Sequence, residues 1–79
     1  MIKLVIAEEN APVSKETAHT VGNSSGVRAV NTSRKNHRVW VNDLQITLPP
    51  NESIVLKKSI SDKVYASSKE VLIAGVSIY

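Results

Sequence analysis

Apolar and polar residues alternate along much of this chain with a period of two, the mark of half-buried strands. Leu44-Gln45-Ile46-Thr47-Leu48 is the cleanest case. Pro49-Pro50-Asn51 then forces a turn, because proline fixes φ and cannot donate to a ladder. Ser53-Ile54-Val55-Leu56-Lys57 follows and reads as the return strand of a hairpin. Upstream, His37 to Val41 reads as a strand with Val39 and Val41 on one face and Arg38 and Trp40 on the other. Asn42-Asp43 marks a tight turn joining it to Leu44.

The remaining pattern is less regular. Ile2 to Ala7 is a first strand with Ile2, Leu4 and Ile6 on one face, broken by the polar run Glu8 to Asn10 and by Pro12. Lys15 to Val21 has no apolar stripe at helical spacing and is expected as a short, irregular edge strand. Gly22 to Gly26 has turn chemistry, and Val27 to Asn31 is the next strand. Val64 to Ala66 is short. Val71 to Ile78 is apolar on both faces, which requires cover on both sides, from a sandwich core or a neighbouring subunit. Gly75 within it marks a bulge or a close backbone approach. Short strands between turns predict one all-β domain over residues 1–79, a small antiparallel β-sandwich or barrel of about 6–8 strands.

Composition sharpens this picture. A chain of 79 residues builds only a small core, and with no cysteine it has neither disulfides nor thiolate metal sites to support it. Phenylalanine is absent and the aromatics are Trp40, Tyr65 and Tyr79, so the core is expected from Val, Ile, Leu and Ala. Oligomerisation or docking on a larger partner is the expected support. The hydrophobic share, 42%, is that of a globular chain and not of a disordered one. No apolar run is long enough to span a bilayer, and no secretory signal is visible. The triplets at Asn23, Asn31 and Asn51 therefore read as loop composition and not as glycosylation sites.

Catalytic and metal chemistry finds little to work with. His19 and His37 lack ligand spacing, and no serine sits in a Gly-x-Ser-x-Gly context. Glu8 and Glu9 are adjacent and would point to opposite faces of a strand. Gly22 and Gly26 lack the lysine and helix of a phosphate loop. No enzyme, cofactor or metal is expected. The site-like cluster is Arg34-Lys35-Asn36-His37-Arg38-Val39-Trp40. Its basic residues and indole suit docking on an acidic surface, or single-stranded nucleic acid held by charge and stacking. The net charge of +3 is well short of a polybasic tail, which argues against nucleic acid. Tyr65 and Tyr79, at strand ends, are candidate interface anchors beside Arg34, Lys35, Arg38 and Trp40.

Four stretches carry a resemblance: Thr20-Val21-Gly22-Asn23 through Val27-Arg28-Ala29-Val30-Asn31-Thr32; Ile46 through Pro49-Pro50 to Lys58; Asp62 through Tyr65-Ala66-Ser67-Ser68; and the closing run Val71 to Tyr79. Together they resemble small virion structural proteins of tailed bacteriophages, particularly those of marine and cyanobacterial hosts. The pattern is one of packing and turns, with no active-site motif. The resemblance implies a β-sandwich-like protein in many copies on the particle, made in the host cytoplasm. It implies a capsid decoration or cement protein, or a neck, tail or baseplate component. The implied partners are the major capsid protein, or neck and tail proteins, and further copies of the chain. The basic loop Arg34 to Arg38 departs from that pattern.

Overall fold

A computed structural model describes residues 2–78. Tyr79, one of the expected anchors, lies outside the described residues. The described chain folds into strands β1 (Ile2–Asn10), β2 (Gly26–Asn31), β3 (His37–Val41), β4 (Leu44–Leu48), β5 (Ser53–Lys57), β6 (Val64–Ala66) and β7 (Val71–Ile78). They form a four-stranded sheet in the order β1-β7-β2-β5 and a three-stranded sheet in the order β4-β3-β6. Every strand pair is antiparallel. The expected all-β sandwich is the observed architecture.

Small side chains fill the space between the sheets. Val27, Ala29, Val71 and Ile73 from one sheet meet Val39, Leu48, Val64 and Ala66 from the other, all buried. Such a core buries little area per residue, as the lack of phenylalanine anticipates. The β3–β4 hairpin forms as expected, with Val41 opposite Leu44 and Asn42 at a φ of 54°.

Three expectations need correction. The Pro49-Pro50 turn does not close a hairpin. β4 belongs to the three-stranded sheet and β5 pairs with β2, so the turn carries the chain from one sheet to the other. Asn31 holds this crossover: Asn31 N donates to Glu52 O and Asn51 N donates to Asn31 O, each at 2.9 Å. Second, β1 does not stop at Ala7 but runs to Asn10. The polar end is tied down by an ion pair and a histidine hydrogen bond and not by burial. Glu8 meets Arg28 at 3.3 Å, and Glu9 meets His19 at 3.1 Å. Third, residues 15–21 are no edge strand. Ser14 to Thr17 make a turn, and only an isolated bridge joins His19 to Val64.

β7 pairs with β1 on one edge and β2 on the other, so it completes the chain's own sheet and offers no edge to a neighbour. Gly75 is both things expected of it. The register of β1 against β7 shifts on each side of Ile6, which lies opposite Gly75. A Cβ on Gly75 would also stand 2.6 Å from the backbone oxygen of Val21.

Lys58, at the end of β5, is buried, and its Nζ donates to Ser59 O at 3.0 Å. Burial pushes its pKa below the ordinary 10.5, and the nearby Asp62 carboxylate opposes that shift in part. The folded state therefore releases this proton at a lower pH than the unfolded chain does. The stability cost of the buried ammonium is present at neutral pH and is relieved as pH rises toward 10.5. Lys58→Met keeps the apolar stem and removes the charge, so it is expected to be at least as stable as the parent at pH 7. Its margin should shrink as pH rises toward 10.5 in thermal melts. A margin that widens with pH would show that the charged form is the favoured one in the fold.

Candidate functional site

Alternation along β3 turns Val39 into the core and leaves Trp40 on the outer face of the three-stranded sheet. Tyr65 on β6 lies directly opposite Trp40. The two rings stack with centroids 4.7 Å apart and an interplanar angle of 5°. Cross-strand aromatic pairs of this kind stabilise a sheet by about 0.5–1.5 kcal/mol beyond the area they bury. Arg38 is exposed on the same face, opposite Thr47 of β4. An open cleft beside Trp40 is lined by Asn36, His37, Arg38, Thr47 and Ser67. On the far side of Tyr65 a second cleft brings Lys15 and Lys63 beside Asn42 and Asp43.

The structure thus brings together Arg38, Trp40 and Tyr65 of the expected site. Arg34 and Lys35 stand exposed on the loop before β3 and line neither cleft. That loop is shaped by its backbone. Asn31 Nδ2 donates to Lys35 O at 2.7 Å, and Lys35 N donates to Ser33 Oγ at 3.1 Å. The basic run therefore divides into a loop tip and a sheet face.

The two histidines lie toward opposite ends of β6. His19 Nδ1 accepts from Val21 N at 3.1 Å, so its Nε2 carries the proton and donates to Glu9. His37 Nδ1 sits 3.1 Å from Ser67 Oγ, which also accepts from Arg38 N at 2.9 Å. A serine–histidine contact invites a catalytic reading, but nucleophile activation needs a third group on the far ring nitrogen. His37 Nε2 is enclosed with no partner among the described residues. The contact instead pins the start of β3 to the loop after β6. Among the described residues, no three His, Asp or Glu side chains gather into a metal site.

A larger surface lies on the opposite side of the molecule. With Val27, Ala29 and Ile73 facing the core, their neighbours Val30, Leu72, Ala74 and Val76 face outward on the four-stranded sheet. Leu4 of β1, 63% exposed, lies opposite Val76, and Val55 of β5, 41% exposed, lies opposite Arg28. The Glu8–Arg28 ion pair spans from β1 to β2 over the intervening β7, where the register places Ala74. That explains why Ala74 is buried there; Val76, between Leu4 and Gly26, is buried as well. No element of the described chain crosses this face, whose exposed apolar groups, Ile2, Leu4 and Val55, stand among Glu8, Arg28 and Lys57, and a surface of this mixed kind can seat a partner. None of the singled-out basic or aromatic residues belongs to it. Its signal in the sequence was the double-sided apolarity of Val71 to Ile78.

No known protein family and no curated protein matches the chain. Among solved structures it is similar to the Schizosaccharomyces pombe Cnp3 cupin domain, with 12% sequence identity and a TM-score of 0.34. The match covers 95% of this chain and 46% of that one, so the chain spans less than half the length of that domain.

Proposed function

We propose that this protein is a structural component of a bacteriophage particle, a decoration or cement protein that docks on the assembled shell. The docking rests on one observation, the uncovered outer face of the four-stranded sheet, on which Leu4 and Val55 stand exposed. The shell as partner rests on the resemblance of the strand-and-turn pattern to small virion proteins. The size of the face fits attachment in many copies. Four strands about 4.8 Å apart, each paired over about five residues, give a face on the order of 350 Å². A stable pairwise interface takes about 800 Å² from each partner. One copy on this face alone binds weakly, and a shell that offers repeated sites turns many weak contacts into lasting cover. The net charge of +3 favours approach to an acidic surface, with Arg28 and Lys57 exposed on the docking face itself; Arg38 lies on the opposite sheet face and Arg34 and Lys35 on the loop that leads to it.

Sedimentation of the purified chain with capsids stripped of it tests this. The expected result is stoichiometric co-sedimentation and a gain in the thermal or osmotic resistance of the shell. Leu4→Asp with Val55→Asp should abolish both while leaving the melting temperature of the free chain within a few degrees, since both side chains are exposed. No association with the shell, together with a stable ring or trimer in solution, would overturn the reading in favour of a neck or tail component.

A further inference from the structure

The two long sides of the sandwich are closed differently. On one side, residues 11–21 run between the sheets and bond to both. Ala11 N donates to Val71 O at 2.9 Å, while Ala66 N and Val64 N donate to Pro12 O and His19 O at 2.8 Å. Ala11 and Val21 are buried there as plugs. On the other side, β4 and β5 face each other as the outermost strands of their sheets. Among the described residues, no backbone–backbone hydrogen bond reaches the outer edge of either strand. Between them an open groove of about 440 Å³ is lined by Val39, Val41, Ile46 and Leu56. Leu44, 79% exposed, stands at its lip, and Asp43 and Asp62 line the same end.

The geometry points to this groove as the seat of an extended segment of another polypeptide, apolar at alternate positions and carrying a basic residue toward Asp43 and Asp62. Such a segment adds to the free edge of β4 and drops every second side chain onto Ile46 and Leu56. It does for this side what residues 11–21 do for the other. Strand addition supplies affinity through the backbone and selectivity through the alternate side chains. The polar lining, Asn42, Asp43, Lys57 and Asp62, sets one cation against two carboxylates, a balance that disfavours a phosphate backbone, while Val39, Val41, Ile46 and Leu56 offer apolar wall to alternate side chains. A second copy of the chain is a poor donor. Its β1 edge carries two register shifts, which twist an edge away from pairing, and its free β4 and β5 edges arrive with the rest of a sandwich attached, too bulky for a groove of about 440 Å³. This inference stands on the fold and not on the identity of the shell.

The test places a donor on the full chain itself. An eight-residue segment alternating valine and threonine, ending in lysine, is fused after Tyr79 through a glycine–serine linker of about 20 residues. The linker reaches about 25 Å on average, comparable to the longest molecular dimension of 31 Å. Tethering raises the effective concentration to about the millimolar range, so a weak site still fills. The expected result is a melting temperature at least ~5 °C above that of the chain carrying the linker alone. The amides of Gln45 and Thr47 should exchange at least tenfold more slowly, about 1.4 kcal/mol of added protection. Leu44→Asp, at a position too exposed to affect folding, should remove most of that gain. A melting temperature equal to that of the linker control, or protection that appears on β1 in place of β4, would overturn the assignment.

Discussion

Gly75→Val is expected to leave the chain largely unfolded at room temperature, and Gly75→Ala to fold but melt about 5–20 °C lower. The reason lies in what faces Gly75. The left-handed turn Val21-Gly22-Asn23, with φ values of 54°, 68° and 55°, presses its backbone onto β7. The carbonyl oxygen of Val21 would lie 2.6 Å from an added Cβ, with Ile6 Cβ at 3.1 Å and Ser24 Oγ at 3.2 Å. The nearest of these is backbone and cannot rotate away. A β-branched residue at positive φ is an outlier held in place by its surroundings. Val21 is held by full burial of its side chain and by the hydrogen bond from its N–H to His19 Nδ1. Moving that turn to admit a methyl group breaks those supports, at a cost of about 1–3 kcal/mol for the alanine. A domain of this size has about 4–12 kcal/mol in all, and with so small a core it belongs at the lower end. Valine adds two more carbons at the same point. Circular dichroism melts decide the matter. If Gly75→Ala melts within 2 °C of the parent, the close approach of the turn to β7 does not exist in solution.

The strands themselves were legible, because a period of two survives wherever one face meets a core. His37 to Val41 and Leu44 to Leu48 show it, and the Asn-Asp turn fixes their partnership locally. Partnership across longer separations left no such trace. Nothing in Pro49-Pro50-Asn51 says that the chain changes sheets, since a proline turn serves a hairpin and a crossover equally well. The deciding group is the Asn31 amide, which reads in the sequence as an ordinary strand end. Residues 15–21 form no edge strand, because the stretch 11–21 bonds to the sheets one backbone group at a time and so carries no period. The stacking of Trp40 on Tyr65 depends on a register between residues far apart in the chain, so the two were candidates separately and not as a pair. Arg34 and Lys35 stood beside Trp40 in sequence, yet the bonds to the Lys35 backbone set them on a loop away from it. The uncovered outer face was half visible. Val71 to Ile78 demanded cover on both sides, but which neighbours share the open side follows only from the strand order.

Asn31→Asp is expected to destabilise the fold by about 3 kcal/mol or more at pH 7, with a smaller defect in acid. Asn31 is fully buried, and its side chain is saturated. Nδ2 donates to Leu48 O at 2.8 Å and to Lys35 O at 2.7 Å, while Oδ1 accepts from Ser33 N and Ser33 Oγ at 2.9 Å. One amide thus ties β2 to the end of β4, across the two sheets, and folds the basic loop against them. Aspartate keeps the acceptor and replaces the donor with a second oxygen aimed at two carbonyls. Burial without donors raises the pKa of the introduced carboxyl above its unfolded value of about 3.9. A raised folded pKa means that the folded state favours the protonated form, so the variant is least impaired below about pH 4 and loses stability as pH rises through the folded pKa. Asn31→Leu removes the same bonds with no titratable group, so its defect should not follow pH in this way. Denaturant unfolding of parent and both variants at pH 4 and pH 7 separates the cases. Equal stability of Asn31→Asp and parent at pH 7 would mean that the amide is not what joins the sheets. A shell-binding assay on Asn31→Asp, run where it is still folded, adds the functional half. Docking through the Leu4 and Val55 face should persist there, because the loop that Asn31 holds leads into the other sheet.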